Sequence, residues 1–402
     1  MTEKHYDIAI VGAGAVGLSA ALAFARDGFR TALIGSLDAR RDGRTVALLN
    51  GSVRFLEALG VWPSLVPASA PLETMRIIDD TGSLFRPPPA SFGAREIGLD
   101  AFGWNIENVT LVEKLAEAVS GYQGLTVFSQ HANGFEAGET AASITLADGT
   151  IISAGLVIAA DGRNSRLRQS AGIGVRTWSY PQSALTVILA HDRDHRETST
   201  EFHTRHGPFT LVPLPGRRSS LVWVTSPEEA QDLVSLDDEA LARAIEKQAH
   251  SHLGGMRIDS PRGVVPMSGL SVNRYWSRRL ALVGEAAHVF PPIGAQGLNL
   301  GFRDVASLRD AVVDAHDDGR EPGSDAAFQQ YQSGRDLDVR MRTAAVDGLN
   351  RTLLTGLLPA DFLRGAGLLA LSNIAPLRRA IMREGVLPRV GVPRLMQDRS
   401  AA

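Results

Sequence analysis

The segment that most constrains the fold is a glycine-rich stretch near the start of the chain. A short apolar run at residues 7–11 predicts a buried strand, and it leads directly into Gly12-Ala13-Gly14-Ala15-Val16-Gly17. Residues 18–26 are rich in alanine and leucine and predict a helix, after which residues 31–34 predict a second strand. A dinucleotide-binding GxGxxG turn requires this order of strand, turn, helix and strand. The pattern therefore predicts an α/β domain with a parallel sheet.

Each glycine of this turn has a physical role. Gly12 permits the tight turn, Gly14 lets a pyrophosphate approach the backbone, and Gly17 lets the helix pack close to the strand. The N-terminus of the helix supplies oriented N–H groups to the anion. We expect this turn to bind a dinucleotide, although the motif alone does not distinguish FAD from NAD.

Two positions after the glycines bear on the rest of the dinucleotide. A ribose-binding acid is expected about 20 residues further on, at the end of the second strand, but Gly35-Ser36 stands there instead. Asp38 lies nearby, and it is either a ribose ligand or a solvated loop acid. Arg44 follows, as either a pyrophosphate ligand or a surface arginine.

The composition limits the chemistry that the chain can carry by itself. Among 402 residues there is no cysteine, which excludes disulfides, thiolate metal sites and dithiol redox relays. Any redox activity therefore needs a cofactor. The 41 Lys and Arg residues nearly balance the 44 Asp and Glu residues, so the chain has no global signature of nucleic-acid binding. His203 and His206 lie in a strand-like stretch with no acid pattern typical of a metal site, and we predict none.

No export or membrane-spanning segment is expected. The first residues are polar and lack the apolar run of a secretory signal. No segment approaches the roughly 18 uninterrupted apolar residues of a membrane span. We therefore expect a cytoplasmic protein.

Two later strands also end in candidate ligand-binding loops. Residues 156–160 predict a strand that runs into Asp161-Gly162, and residues 280–283 predict another that runs into Gly284-Glu285-Ala286-Ala287-His288. A loop rich in glycine and proline follows the second of these, up to a helix predicted at residues 302–313. Ligands of open α/β sheets bind at the carboxyl ends of strands, so both loops are candidates for cofactor contacts.

Together, these motifs resemble the FAD-dependent aromatic hydroxylases of the para-hydroxybenzoate hydroxylase type. The family pattern is GxGxxG, then Asp-Gly, then a late Gly-Asp-Ala-Ala-His segment followed by Pro, Gly and Gly-Leu-Asn. Its counterparts here are Gly12–Gly17, Asp161-Gly162 and Gly284–Asn299. The segments Asp42–Leu48 and His206–Pro215 resemble the ubiquinone-biosynthesis hydroxylases more specifically, and the likeness runs from about residue 6 to 385.

The resemblance implies FAD as cofactor, NAD(P)H as electron donor and O2 as co-substrate. The loop containing Pro292, Gly294 and Gly297 is expected to surround the flavin ring, and no other residue is assigned to catalysis. The residues expected to bind FAD are Gly12, Ala13, Gly14, Ala15, Val16, Gly17, Arg44, Asp161, Gly162, Glu285, Ala287, Pro292, Gly294, Gly297, Leu298 and Asn299.

Three positions depart from the family pattern. Glu285 replaces an Asp whose carboxylate contacts the ribityl chain, and Gly35 replaces the ribose-binding Glu. Val109 stands where many relatives have an Arg that contacts the cofactor. These departures concern the affinity for the cofactor more than its identity.

The predicted fold class is α/β, with a Rossmann-like FAD/NAD(P)-binding domain, an inserted mixed β-sheet substrate domain and a helical C-terminal tail. Strand-like runs at 74–78, 184–190, 209–214 and 220–225 belong to the inserted sheet, and the last two flank a hairpin signal at 215–219. The predicted boundaries are 1–70, 101–174 and 269–345 for the FAD-binding domain, 71–100 and 175–268 for the substrate domain, and 346–402 for the helical C-terminal region.

The predicted function is ring hydroxylation of a polyprenylated phenol in ubiquinone biosynthesis. Two alternatives stay open: a hydroxylase of a soluble aromatic acid or secondary metabolite, and a non-catalytic flavin-binding subunit of a biosynthetic assembly. Residues 371–402 carry more arginines than acids, so the tail is a candidate for peripheral contact with an anionic membrane, or else a packed tail or partner interface. The protein is also a candidate member of a ubiquinone-biosynthesis complex or of a homo-oligomer. It is not expected to bind nucleic acid.

Overall fold

The computed structural model describes residues 4–39, 41–82, 88–291, 296–354, 374–386 and 391–398. This part of the chain contains both strands and helices. The strands are β1 (Lys4–Val11), β2 (Thr31–Ile34), β3 (Thr45–Leu49), β4 (Ser69–Pro71), β5 (Thr74–Asp79), β6 (Ala90–Gly93), β7 (Gly103–Glu107), β8 (Leu125–Phe128), β9 (Ala132–Ala137), β10 (Ala142–Leu146), β11 (Ile151–Ala159), β12 (Val175–His191), β13 (Thr198–Thr204), β14 (Gly207–Leu214), β15 (Arg218–Thr225), β16 (Met256–Ile258), β17 (Gly263–Val272), β18 (Trp276–Ser277), β19 (Leu280–Leu282) and β20 (His288–Val289). The α-helices are α1 (Ala15–Arg26), α2 (Asn50–Ala58), α3 (Trp62–Leu65), α4 (Asn108–Ser120), α5 (Arg166–Ser170), α6 (Pro227–Ser235), α7 (Asp238–Gln248), α8 (Gln296–Asp317), α9 (Asp325–Leu354) and α10 (Ala375–Val386).

The glycine-rich start of the chain builds a parallel sheet, as its pattern predicts. Strands β19, β11, β1, β2 and β8 lie side by side and run in the same direction. Their apolar runs are buried because α1 and α8 pack against each other and against the sheet. The three strands that precede the sequence motifs, β1, β11 and β19, are immediate neighbours in this sheet. Their carboxyl ends therefore lie at one edge.

A second, nine-stranded sheet is built mainly from antiparallel strands. Its order is β20-β17-β12-β15-β14-β13-β5-β6, with β16 paired to β12. The predicted hairpin is confirmed, since β14 and β15 pair antiparallel from Leu214 and Arg218 outward. Helices α6 and α7 cover one face of this sheet, where Leu185, Phe209 and Trp223 belong to one buried apolar cluster.

A small three-stranded sheet, β3-β7-β4, joins the two large sheets. On β7, the side-chain amide of Asn105 donates to the carbonyl oxygen of Pro213 at 2.9 Å and to Ser220 Oγ at 3.2 Å. On β3, Thr45 Oγ1 donates to the same Ser220 Oγ at 2.8 Å. The nine-stranded sheet is therefore fixed against β3 and β7 of the small sheet.

This architecture confirms the predicted fold class. Helices α8 and α9 continue the chain beyond the parallel sheet, and α10 packs through Met382 against Phe92 and Phe102. The domain boundaries stay a prediction, and part of the apolar tail that the sequence singles out lies outside the described residues. Within the described residues, no helix is both long enough and apolar enough to cross a membrane.

Candidate active site

The three sequence motifs meet at the carboxyl edge of the parallel sheet. Past the ends of the strands, the N–H of Ala160 donates to the carbonyl oxygen of Val11 at 2.8 Å, and the N–H of Val283 donates to that of Ala159 at 3.0 Å. The turns at Gly12, Asp161 and Gly284 consequently follow three adjacent strand ends. This is the position at which ligands of open α/β sheets bind.

The glycines of the first turn divide into two kinds. A Cβ atom on Gly12 would overlap the carbonyl oxygen of Ala160, and one on Gly17 would overlap the carbonyl oxygen of Gly12. Gly12 also has a φ of +110°, which disfavours other residues. Gly14 is exposed and would carry a Cβ with no atom within 4 Å. Space for a ligand is therefore available at Gly14, next to the amides at the start of α1.

Val16 links the first motif to the last. A Cβ on Gly284 would lie 3.2 Å from Val16 Cγ1, and one on Gly301 would lie 2.7 Å from Val16 Cγ2. The side chain of Val16 is thus packed between the third motif and α8. Any contribution of Val16 to cofactor binding therefore comes from its backbone, and contacts of Ala13 and Ala15 with the cofactor stay a prediction.

The Asp-Gly loop contains a carboxylate oxygen that is suited to a ligand. Asp161 Oδ2 accepts from the N–H of Arg166 at 2.9 Å and so helps to start α5. Its Oδ1 is buried and has no hydrogen-bond partner among the described residues. Because a buried acceptor without a donor is costly, a ligand hydroxyl is the natural partner. A Cβ on Gly162 would meet nothing within 4 Å.

A buried arginine fixes the second motif to the third. Arg168 Nη1 donates to the carbonyl oxygen of Ala286 at 2.9 Å, and its Nη2 donates to the carbonyl oxygen of Arg163 at 2.9 Å. Burial lowers the pKa of Arg168, partly offset by the charge of Asp161. The two loops are therefore held together by one side chain.

The residues predicted after β19 differ in what they can offer. Glu285 is exposed, whereas Ala287 is buried with its N–H donated to Gly284 and its carbonyl oxygen accepting from Val272. Gly297 is exposed and Leu298 is half-buried at the start of α8. Pro292 and Gly294 lie outside the described residues.

Asn299 uses its side chain to hold β3 and α2. Its Oδ1 accepts from the N–H of Leu49 at 2.9 Å and from Ser52 Oγ at 2.6 Å, and its Nδ2 donates to the carbonyl oxygen of Ala47 at 2.8 Å. Its side chain therefore places the start of α8 beside β3, and a direct contact of Asn299 with FAD stays a prediction.

The polar groups after β2 form local pairs. Ser36 Oγ and Asp38 Oδ2 are 2.7 Å apart, and both residues are exposed. A Cβ on Gly35 would lie 2.9 Å from the Ala13 nitrogen, so the glycine turn packs directly on this strand end. The side chain of Arg44 is 58% exposed and donates through Nε to Asp42 at 2.6 Å.

A buried charged cluster behind the third motif was not predicted from the sequence. Asp304 Oδ2 accepts from His288 Nε2 at 2.7 Å and from the N–H of Gly284 at 2.9 Å, and its Oδ1 accepts from Arg335 Nε at 2.7 Å. Burial by itself raises the pKa of Asp304, but the charges and hydrogen bonds of these partners hold it below its ordinary value. The only sequence signal is a pair of charges inside helical segments, which does not indicate that they meet.

These features fit a flavin dinucleotide, and comparison with known proteins agrees. The model of the family described as FAD binding domain matches residues 5–339. The chain belongs to this family. It is 34% identical to ubiquinone hydroxylase UbiL of Rhodospirillum rubrum over 96% of this chain and 90% of that protein. It is 31% identical to 3-demethoxyubiquinol 3-hydroxylase of Escherichia coli, over 95% of this chain and 99% of that protein.

Solved structures have the same fold. The p-nitrophenol 4-monooxygenase PnpA of Pseudomonas putida superposes with a TM-score of 0.80 at 16% identity, covering 97% of this chain and all of that one. PqsL of Pseudomonas aeruginosa, solved with 2-aminobenzoylacetate, gives a TM-score of 0.76 at 24% identity, covering 91% of this chain and all of that one. The family and the relatives identify this FAD-binding chain as a flavoprotein monooxygenase and an aromatic hydroxylase.

Proposed function

We propose that this monooxygenase hydroxylates the aromatic ring of a polyprenylated phenol in ubiquinone biosynthesis. The observation that carries the proposal is the identity above 30% to two ubiquinone-pathway hydroxylases along almost the whole chain. The junction of the three motifs at one sheet edge, together with the buried Oδ1 of Asp161, supports a complete cofactor site. The ubiquinone biosynthesis monooxygenase COQ6 of Homo sapiens, 29% identical over 95% of this chain, supports the same reaction class.

The proposed reaction uses NAD(P)H and O2. A hydride from NAD(P)H and one proton from solvent reduce O2, so that one oxygen atom enters a ring C–H bond and the other leaves as water. The bound flavin supplies the redox chemistry. Gly14 and the start of α1 would hold its phosphates, Asp161 and Glu285 would bind its hydroxyl groups, and Gly297 would lie near its ring.

The carboxyl-terminal region is proposed to meet the membrane surface, because a polyprenylated substrate is confined to the bilayer. Arg379 and Arg383 of α10 are exposed and could interact with anionic headgroups. Sedimentation of the protein with vesicles of phosphatidylglycerol, but not of phosphatidylcholine alone, would support this placement. Association with other proteins of the pathway, or with a second copy, stays a prediction.

The function is tested with the purified protein. Its visible spectrum should show bound flavin, and its NAD(P)H oxidation should accelerate with a phenol that carries two isoprene units ortho to the hydroxyl. Mass spectrometry should then find one added oxygen atom in the phenol. Acceleration by soluble aromatic acids only would reject the prenylphenol assignment, and failure to bind flavin would contradict the cofactor site.

A further inference from the structure

One face of the nine-stranded sheet is turned toward the FAD-binding part of the chain. We call it the inner face; it is the face opposite α6 and α7. Side chains alternate along a strand, so residues next to Phe209 and Trp223 point to the inner face. Strand register places Val222, Thr210, Glu201 and Ile77 in one row across four adjacent strands.

The inner face is fixed to the FAD-binding part through Ser220. Its Oγ accepts from Thr45 Oγ1 of β3 and from the side-chain amide of Asn105 of β7. Glu201 is displaced from Ser220 by two residues along the strand direction and by two strands across the sheet. The distance between the two positions is therefore about 12 Å. A substituted phenol is long enough to span this distance, so it could reach from the FAD-binding part of the chain to the row that contains Glu201.

A carboxylate–imidazole pair lies on this face. Glu201 Oε1 and His203 Nε2 are 2.7 Å apart, and Thr210 Oγ1 donates to Glu201 Oε2 at 3.2 Å. The side chain of His203 is 7% exposed, whereas that of Glu201 retains 27% exposure although its strand is paired on both sides. His203 Nδ1 is buried and has no hydrogen-bond partner among the described residues.

The pairing determines what Nδ1 can do. Because a carboxylate only accepts hydrogen bonds, the neutral imidazole that fits this pairing is the tautomer with its proton on Nε2, and in that tautomer Nδ1 presents a lone pair. A buried acceptor without a donor implies a missing partner. A second acid, Asp79 of β5, is paired with His203 across the two strands. Its Oδ1 accepts from the N–H and the Oγ1 of Thr81. Strand β14, on the other side, carries no titratable side chain.

The remaining side chains of the row are apolar and incompletely covered. Val222 and Ile77 are both half-buried, unlike the fully buried cluster on the helix-covered face. A ligand that matches this wall has an apolar body and one hydroxyl donor. A phenol with an isoprenoid substituent has this chemistry, whereas a carboxylate would be repelled by Glu201.

We propose that His203 is the base that takes the proton from the ring hydroxyl of the substrate, and that Glu201 positions its imidazole. This proposal rests on the proposed function, because it requires a phenol. The phenol O–H bond breaks, its proton moves to Nδ1, and its electron pair stays on oxygen and makes the ring more electron-rich. The proton returns to the product oxygen, so the overall proton count is unchanged.

The test compares wild-type holoprotein with His203→Asn, using the phenol with two isoprene units as probe. Binding of the probe near pH 7 should give the red-shifted absorption of a phenolate in wild type, and at least about tenfold less of it in the variant. Hydroxylation near pH 7 should fall about 100-fold, and it should recover to within a few fold above about pH 9, where more of the phenol is ionised in solution. FAD content should not change.

Two further variants separate a proton role from a structural one. Glu201→Gln keeps an acceptor for Nε2 but removes the charge, and it should reduce the phenolate absorption while leaving affinity for the methyl ether of the probe unchanged. The matched control is His250→Asn, because His250 pairs with Asp80 at 3.0 Å and contacts Phe202 on the helix-covered face. It should behave as wild type.

The outcomes distinguish this proposal from the proposed function. If His203→Asn hydroxylates the probe as fast as wild type near pH 7, or if wild type binds it without phenolate absorption, the proton role is wrong while the function can stand. If wild type never hydroxylates the probe, the function is wrong, and the binding spectrum still decides whether His203 accepts a phenol proton.

Discussion

The two walls of the candidate active site are built in different ways. The proposed cofactor wall is the carboxyl edge of the parallel sheet, where backbone atoms and glycines from three short motifs come together. The proposed substrate wall is the inner face of the mixed sheet, where side chains between Ile77 and Val222 meet only through strand register. The first wall has no room for added atoms at Gly12 and Gly17 but has room at Gly14, whereas the second depends on which side chains are present.

The largest effect is expected where the cofactor wall is packed most tightly. Gly12→Ala should lower the free energy of unfolding by at least about 4 kcal/mol, because the added Cβ overlaps the Ala160 carbonyl at a backbone conformation that alanine disfavours. Urea unfolding of the apoprotein measures this directly. A Gly12→Ala apoprotein as stable as wild type would contradict the packing of the turn on β11.

The buried cluster behind this wall should show the next largest effect. Asp304→Asn should cost about 3–5 kcal/mol near pH 7, because it removes the fully buried one of the two carboxylates, Asp304 and Asp338, that pair with the buried Arg335. Asp317→Asn, at the exposed end of the same helix, is the control and should change stability by less than about 0.5 kcal/mol.

The pH dependence of stability provides a second measurement of the same cluster. The pKa of Asp304 is held below its ordinary value in the folded protein. The contribution of Asp304 to the free energy of unfolding is therefore complete above the pKa of an Asp in the unfolded chain, about 3.9. It is lost as the pH falls through the lower pKa that Asp304 has in the folded protein. Unfolding free energy measured from pH 7 to pH 2 should fall less steeply in Asp304→Asn than in wild type. Parallel curves would show that the pKa of Asp304 is the same in the folded and unfolded states.

The contrast between the two walls explains what the sequence could reveal. The cofactor wall was predictable because Gly12–Gly17, Asp161 and Gly284 each follow an apolar strand directly. The cluster around Asp304 was not, since Arg335 reaches it from α9, and a single sequence does not indicate how two helices dock. Glu201 and His203 were equally hidden, because their significance depends on which face of β13 is covered.

Gly14→Ala should separate ligand binding from folding at the cofactor wall. The added Cβ meets no protein atom within 4 Å, so the apoprotein should unfold within about 0.5 kcal/mol of wild type. The same Cβ occupies the space through which a pyrophosphate approaches the backbone. We expect at least about tenfold weaker FAD binding, equivalent to about 1.4 kcal/mol, measured by quenching of flavin fluorescence. Unchanged affinity would place the pyrophosphate away from Gly14.

The smallest effect tests whether the inner face is the substrate wall. Val222→Ala removes two methyl groups from a half-buried side chain, and loss of about 1 kcal/mol of apolar contact should raise KM for the prenylphenol about fivefold. FAD binding should not change.

Val187→Ala is the matched control, because Val187 belongs to the fully buried cluster under α6 and α7. It should cost about 1–3 kcal/mol of stability and leave KM unchanged, since its side chain points away from the substrate. If the two variants exchange these effects, the substrate does not contact the inner face, and the wall must be sought elsewhere on the sheet.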